Sequence, residues 1–412
     1  MGTRTWLFIA ICGVLTAVPA GWGKVSRAQT LSTSMSPGSA NAPSSDDRGE
    51  DYTGHTAARV FPLPCPPHLS HRQTIALAWQ IALAAHDFSP GILDGNFGPH
   101  SLMALREYAA AKFPGVNPLN PHDPRVFDAL GVDVKHVTAT YTISSADGQA
   151  VGHEHYHWRA MAAADRMPYG SLEGCICEKF HCTRRLLRQL NPGIRLSELQ
   201  TGQTINVPNI RPFPDPQVDF GLPGGLSAVI AADKADLPHP HVAYLVINIR
   251  QKVIRAYNAR KQEVALFHCS IPAIHADLPT RDAYIKDIAL NPNYTFFPSV
   301  FKSVHNIHHP LLIPPGPRNP VGVVWMGLSI PNVGMHGNPQ PQYIGLTGSH
   351  GCFRMTNWDA VNLLTLVHIG LPVFFVNSPV PVQGGPPGPA VASQPEDRST
   401  SSSISDPIQA GY

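Results

Sequence analysis

The segment around Cys352 carries the residue types that nucleophilic catalysis requires. Cys352 follows Ser349, His350 and Gly351, a short polar run in which glycine permits unusual backbone angles. A thiol becomes a useful nucleophile when a nearby imidazole accepts its proton. His350 would share a face with Cys352 on a strand, whereas His336 would lie opposite Cys352 if a hairpin returned its strand. The spacing leaves both histidines open as the base, beside the alternative of a structural cysteine next to a turn histidine.

The segment 240–378, which contains these residues, is rich in strand patterns. One short helix is expected at 359–367, directly after the Cys352 turn. Strands at this density with a single helix predict a mainly-β domain of β-sandwich-like or barrel-like form. The strand signals lie at 244–248, 252–257, 264–270, 321–328 and 373–376.

The residues of this segment resemble the catalytic signature of the L,D-transpeptidases, the YkuD-type domain. The signature is His336-Gly337, then after a short stretch the run Ser-His-Gly-Cys-Phe-Arg-Met at 349–355. Residues 316–322 with Trp325 fit the stretch before the signature in that family, and 357–360 and 370–373 fit the stretch after it. The resemblance covers segment 240–378 and implies a cysteine acyltransferase.

The resemblance also implies roles for the signature residues. Cys352 would be the nucleophile and His336 the base, with the Gly337 carbonyl holding the other imidazole nitrogen as an Asp does in a serine triad. His350 would then shape the turn, and the amides of Gly351 and Cys352 would offer oxyanion donors.

Two further residues are expected to contact substrate. The planar guanidinium of Arg354 suits a substrate carboxylate, with a structural ion pair as the alternative. Ser349 is placed with the substrate-binding residues, although a turn and hydrogen-bonding role suits it better than a second nucleophile.

The reaction that the resemblance implies is a peptidoglycan L,D-transpeptidation. A Cys352 thioester with a stem peptide would be captured by an amine of another stem, which gives a 3→3 cross-link. Water as acceptor would instead give an L,D-carboxypeptidase, and a lysine of a wall-anchored lipoprotein would give protein attachment. A non-catalytic wall-binding scaffold and a zinc hydrolase remain the alternatives from other classes.

The two ends of the chain do not have the composition of folded domains. Residues 1–20 have Arg4, an apolar run and a small-residue cleavage site at Val18-Pro19-Ala20, which predicts a signal peptide and export to the periplasm or cell envelope. Residues 21–65 and 379–412 have the composition of a disordered linker and tail. No later run is long enough for a membrane span.

Two N-terminal modules are expected between these ends. Residues 66–134 show two amphipathic helices around a Pro-Gly-x-x-Asp-Gly-x-Phe-Gly loop and resemble the small helical peptidoglycan-binding domain. Residues 139–210 predict a strand at 141–143, a helix at 178–190 and a closing strand at 204–208, and resemble the α/β LysM glycan-binding module with an insertion at 148–168. Either module could bind glycan or act as a spacer.

Charge and cysteine content limit the remaining possibilities. A net charge of +2 gives no basis for binding nucleic acid. Export would favour pairing among the cysteines other than Cys352, and a bridge within Cys175, Cys177 and Cys182 is open. No metal or other cofactor is expected, because the three cysteines lack zinc-knuckle spacing and the histidine clusters have the pattern of polar loops. These clusters comprise His153, His155 and His157, and His305, His308 and His309.

Overall fold

The computed structural model describes residues 61–63, 68–113, 123–213, 242–301 and 304–379. The expected signal peptide, most of the expected linker and nearly all of the expected tail lie outside these residues. Within the described ranges, no helix combines the length and apolar character needed to cross a bilayer.

The helical segment consists of α1 (His71–Ala85), α2 (Pro99–Lys112) and α3 (Pro124–Leu130). Ser70 begins α1 with a capping box, in which its hydroxyl accepts from the Gln73 N–H and the Gln73 side chain accepts from the Ser70 N–H. Proline at the first position of α2 and α3 suits a helix start, where no intrahelical N–H bond is lost. Helices are therefore present where the periodicity of this segment predicts them.

A three-stranded antiparallel sheet forms the next segment, in the order β1 (Phe61–Leu63), β2 (Thr138–Thr142), β3 (Thr204–Pro208). Strand β1 lies inside the range expected to be a disordered linker, so that expectation is wrong at these three residues. Between β2 and β3 the chain forms α4 (Ser145–Ala150), α5 (Trp158–Ala163), α6 (Leu172–Lys179) and α7 (Arg184–Leu190).

The single helix expected at 178–190 is two helices, α6 and α7. His181, between them, has a positive φ of 49°, a left-handed conformation that cannot continue an α-helix. Thr183 then caps α7, because its hydroxyl accepts from the Leu186 N–H. The break turns the chain so that the Cys182 N–H donates to the Cys177 carbonyl at 2.8 Å.

The C-terminal segment is mainly β, as predicted. Eight of its strands form one sheet, in the order β12-β11-β10-β7-β13-β4-β5-β6, and β8 and β9 form a separate hairpin. Its helix, α8 (Asn357–Leu364), follows β12. The strands are β4 (Val242–Asn248), β5 (Val253–Asn258), β6 (Glu263–His268), β7 (Ala283–Leu290), β8 (Tyr294–Phe296), β9 (Leu311–Ile313), β10 (Val324–Leu328), β11 (Gly334–His336), β12 (Phe353–Arg354) and β13 (Pro372–Val376).

This sheet curls until its two edges meet. The start of β7 pairs with β13 while the rest of β7 pairs with β10, so β7 joins two halves of the sheet. Just beyond β6, Ser270 exchanges two backbone hydrogen bonds with Arg354 of β12, at 2.8 and 3.0 Å. The rings of Phe353 in β12 and Phe375 in β13 stack at 5.6 Å inside the curl. The sheet is thus nearly closed. Of the two predicted forms, β-sandwich-like and barrel-like, the curled sheet is nearer to the barrel-like one.

A buried carboxyl on α8 gives the fold a pH dependence. Asp359 is 2% exposed, and burial raises its pKa to about 7, with Asp87 adding to this and Ser89 and Thr356 opposing it. The folded state therefore keeps a proton that the unfolded chain releases near pH 4, so this group's contribution to stability falls as pH rises from about 4 to about 7. Asp359→Asn removes this titration. The free energy of unfolding of the variant minus that of wild type should therefore be larger at pH 8 than at pH 4, by on the order of 2–4 kcal/mol.

Denaturant titrations of both proteins at several pH values measure this difference. Asp128→Asn, at an exposed position on α3, is the matched control and should leave the pH dependence unchanged. A constant difference between Asp359→Asn and wild type across this range would contradict the prediction.

Candidate active site

The pairing of β11 with β12 brings three predicted site residues onto one face of the sheet. The strands are parallel, and His336 lies opposite Arg354 while Met335 lies opposite Phe353. Cys352 precedes β12 by one residue and therefore shares a face with Arg354 and His336, because side chains alternate along a strand. Met335 and Phe353 point to the other face and are fully buried. The histidine strand thus reaches the cysteine by a parallel crossover and not by the hairpin considered from the sequence.

His336 is fixed by its neighbours on both sides of the ring. Its Nδ1 lies 2.6 Å from the Gly337 carbonyl oxygen, a contact that requires a proton on Nδ1 and leaves Nε2 as the acceptor. The ring stacks on Trp325 at 5.7 Å, and Trp325 Nε1 donates to Asp287 at 3.0 Å. Only 5% of His336 is exposed. The imidazole therefore has one tautomer and little freedom to rotate.

Burial keeps both reactive groups neutral near pH 7. It lowers the pKa of His336 to about 4, although the hydrogen bond to Gly337 acts in the opposite direction. Burial likewise raises the pKa of Cys352 to about 11, while the Gly334 backbone and the charge of Arg354 oppose the rise. The Cys352 thiol contacts the Asn332 carbonyl oxygen at 3.6 Å. A neutral imidazole can accept a proton from a thiol, so these protonation states are the ones that general-base activation needs.

The loop before Cys352 is held by its own hydrogen bonds. Ser349 is 5% exposed and its hydroxyl donates to the Cys352 carbonyl oxygen, while the Gly351 N–H makes a long 3.4 Å hydrogen bond to the same hydroxyl. This arrangement supports the turn role for Ser349, and a substrate contact stays a prediction. Gly351 has a φ of 131°, which only glycine adopts readily, so the turn depends on this residue.

His350 lies at the surface of the same loop. It is exposed, and its ring packs on Phe301 at 4.6 Å. Phe301 follows the β8–β9 hairpin's first strand and belongs to an apolar cluster with Phe296 and Trp158 of α5, which stack at 4.0 Å. His350 therefore lies against this apolar cluster, and the turn-shaping role that the family resemblance implies stays a prediction.

Arg354 projects from β12 beside Cys352. Its Nη2 donates to the Gly348 carbonyl oxygen, and it takes part in none of the ion pairs found within the described ranges. Burial raises the pKa of Tyr294 of β8 to about 12, with a further rise from Cys352 and an opposing effect of the charge of Arg354. The sequence did not identify Tyr294, because its segment has no pattern that distinguishes this tyrosine from the others in the chain.

Asn357, at the start of α8, packs behind the His336 strand. Its side-chain Oδ1 accepts from the Val323 N–H at 3.2 Å. The same oxygen occupies the space where a Cβ atom would stand on either Gly322 or Gly337. Glycine is therefore needed at both positions for Asn357 to approach the backbone that holds His336.

The remaining sequence candidates are the two histidine clusters and the other cysteines. His153, His157, His305, His308 and His309 are exposed, and His155 is half-buried. In the part of the chain that the structure describes, no group of three His, Cys, Asp or Glu side chains is arranged to hold a metal ion. Cys177, Cys182, Cys269 and Cys352 form no disulfide with one another.

Comparison with known proteins gives a family for the C-terminal segment. Residues 242–375 match the model of the L,D-transpeptidase catalytic domain, YkuD. A Bacillus licheniformis protein that carries the name L,D-transpeptidase YkuD is 25% identical over 195 residues, which cover 47% of this chain and 87% of that protein. The Escherichia coli protein named L,D-transpeptidase YcfS is 24% identical over 260 residues, covering 60% of this chain and 70% of that protein.

Solved structures of L,D-transpeptidases also align with the chain. One from Enterococcus faecium has a TM-score of 0.27 and 19% identity, covering 34% of this chain and 52% of that chain. Another, L,D-transpeptidase 3 from Mycobacterium tuberculosis, has a TM-score of 0.27 and 14% identity, covering 44% of this chain and 77% of that chain. The aligned region spans about half of the Enterococcus chain.

Proposed function

We propose that this protein is a cysteine acyltransferase that cross-links peptidoglycan stem peptides, because residues 242–375 match the model of the L,D-transpeptidase catalytic domain. The observation that carries the proposal is the shared face of Cys352, His336 and Arg354 at the β11–β12 edge, with His336 Nδ1 held by Gly337. A nucleophile, a base of fixed tautomer and a guanidinium available to a carboxylate are the groups that such a transfer needs.

The first step forms the acyl-enzyme. His336 Nε2 accepts the Cys352 thiol proton as Sγ attacks the carbonyl carbon that precedes the terminal D-alanine of a donor stem. The Cys352 N–H donates to the developing oxyanion, and the Gly351 N–H would have to leave its long contact with the Ser349 hydroxyl to do so as well. The carbon–nitrogen bond then breaks, the imidazolium returns the proton to the leaving D-alanine amine, and a thioester remains on Sγ.

The second step transfers the acyl group. An amine of a second stem attacks the thioester carbonyl and loses its proton to His336 Nε2, the carbon–sulfur bond breaks, and the proton returns to the Cys352 thiolate. The product is a 3→3 cross-link and the enzyme is regenerated. Water in place of the amine would yield the carboxypeptidase product from the same thioester.

Arg354 and the N-terminal segments supply binding. The guanidinium of Arg354 has no ion-pair partner within the described ranges, which leaves it available for a substrate carboxylate beside the nucleophile. The segments resembling peptidoglycan-binding and LysM modules would hold the glycan strands or space the enzyme from them. This assignment requires an exported protein of the periplasm or cell envelope, in keeping with the apolar run near the N-terminus.

The identity of the product tests this function. Purified enzyme with disaccharide-tetrapeptides should give dimers joined between two diamino acid residues, which tandem mass spectrometry distinguishes from other linkages. Tripeptides without dimers would instead establish hydrolysis. If the intact enzyme formed neither dimers nor tripeptides, the proposed acyl transfer would be refuted.

A further inference from the structure

The segment that contains β2, β3 and the helices between them meets the C-terminal segment close to the backbone that holds His336. The Met167 N–H donates to the Pro315 carbonyl at 2.8 Å, and the Arg318 N–H donates to the Met167 carbonyl at 3.1 Å. Gly316, between these two contacts, has a φ of 140°, and a Cβ atom there would collide with the Met167 backbone. Backbone pairing at this distance fixes the two segments against each other.

From the same side, Glu178 of α6 reaches the start of α8. Its Oε1 accepts from Asn357 Nδ2 at 2.6 Å. Desolvation raises the pKa of Glu178 to about 7, while hydrogen bonds from Asn357 and Tyr169 and the charge of Arg318 act in the opposite direction. A carboxyl removed from water is costly unless it is hydrogen-bonded, so the short contact with Asn357 is a main compensation for its position.

Asn357 connects this carboxyl to the support of the base. The side chain is 1% exposed, and Nδ2 also donates to the Pro317 carbonyl at 3.3 Å, so the amide has one orientation. In that orientation Oδ1 lies against Gly337, whose carbonyl oxygen holds His336 Nδ1. Rotation of the Asn357 amide would therefore release the Gly337 peptide that fixes the imidazole.

We propose that Glu178 is a positioning residue for His336, acting through Asn357 and the Gly337 carbonyl. Glu178 touches neither Cys352 nor the imidazole, and its effect is to keep the base in its working tautomer. The base role of His336 rests on the proposed function, whereas the effect of Glu178 on the imidazole does not.

A second contact from the same segment agrees with this role. Glu154 accepts from Arg318 Nε at 2.7 Å and pairs with its Nη2 at 2.6 Å. Arg318 Nη1 in turn donates to the Pro339 carbonyl oxygen. Glu178 thus supports Gly337 through Asn357, and Glu154 supports Pro339 through Arg318. Both carboxylates come from outside the domain that contains the nucleophile.

Ring-nitrogen NMR of the full chain labelled with ¹⁵N-histidine tests the proposal without any substrate. His336, assigned with a His336→Gln variant, should show the Nδ1–H tautomer in wild type and in Glu178→Gln, because glutamine retains an oxygen that accepts from Asn357. Glu178→Ala removes the acceptor and should give a mixture of tautomers. The proposal is overturned if Glu178→Ala keeps the wild-type signal, or if Glu178→Gln loses it equally.

A second experiment tests the effect of Glu178 on reactivity. It measures the rate at which a carbapenem acylates Cys352, with intact mass as the readout. Glu178→Ala should slow acylation by about 10–100-fold at saturating carbapenem with little change in half-saturating concentration, because the base is misplaced while binding is retained. Glu178→Gln should restore most of the rate. Asn357→Ala should match the loss, and the double variant should lose little more, because both act on one contact.

Glu173→Ala is the matched control on the same helix. Glu173 pairs with Arg184 of α7 at 3.8 Å, within its own segment, so its variant should acylate at the wild-type rate. Equal losses in Glu173→Ala and Glu178→Ala would attribute the effect to α6 as a whole and overturn the proposal. Failure of the wild type to cross-link stem peptides would refute the proposed function instead, since the histidine signals report on Glu178 independently.

Discussion

Cys352→Ala should abolish covalent acylation and lower any transfer of stem peptides by at least about 1,000-fold, because it removes the thiol on which the acyl-enzyme would form. Cys352 is half-buried and shares its face with His336 and Arg354. Intact mass after exposure to a carbapenem measures the first step, and dimer formation from purified stem peptides measures both steps. Wild type should gain the mass of one carbapenem, and the variant should gain none.

Cys269→Ala is the matched control within the same domain. Cys269 is fully buried at the end of β6, and burial raises the pKa of its thiol far above the usual range, so it should not react. Its variant should therefore retain the adduct and the activity. A carbapenem adduct on Cys352→Ala, or its loss in Cys269→Ala, would mean that the nucleophile has been misassigned.

His336→Ala should lower the rate of acylation by about 100–10,000-fold at pH 7, the usual contribution of a positioned general base. Because the Cys352 pKa is raised to about 11, very little thiolate is present at neutral pH without a base to accept its proton. The rate of the variant should then rise steeply with pH as thiolate forms. Wild type should depend much less on pH above the His336 pKa of about 4, where the imidazole is already neutral.

His350→Ala separates the two histidines that the spacing left open. His350 is exposed and packs on Phe301, so its loss should lower acylation by less than about tenfold and leave the pH profile of wild type. Stopped-flow or quenched mass measurements of both variants over pH 5–10 provide the comparison. If His350→Ala showed the larger loss and the steeper profile, the base would be His350.

Much of the C-terminal fold could be predicted, because its strands have local signals. The turn between β4 and β5, the strands β6, β10 and β13, and the helix after Cys352 lie close to their predicted positions. Strand β7 was missed because residues 283–290 alternate weakly in polarity and half of them are only partly buried. The break between α6 and α7 depends on a positive φ at His181, and the presence of a histidine does not predict a left-handed backbone conformation.

The site was predictable where it is local and was missed where it depends on distant contacts. The signature around Cys352 named the nucleophile, the loop and both candidate bases, and these roles stay predictions until the variants are measured. The parallel pairing of β11 and β12 puts His336 opposite Arg354. This pairing depends on the connection between the two strands, whose sequence shows no strand-like alternation. Glu178 and Asn357 are 179 positions apart, and nothing in either local sequence indicates that they meet.

The position of β13 has a consequence for how the protein is made. This strand is the last of the chain's regular elements within the described ranges, yet it lies between β7 and β4 in the interior of the sheet, where Val373 pairs with Leu245. A ribosome that has released the chain only as far as Cys352 has therefore produced the reactive thiol without the strand that joins the halves of the sheet. Since pairings between such distant residues form late, the thiol acquires its partners only after synthesis of the domain is complete. Premature termination between residues 356 and 371 should yield a polypeptide that has every residue of the 336–355 signature but lacks β13 and is inactive.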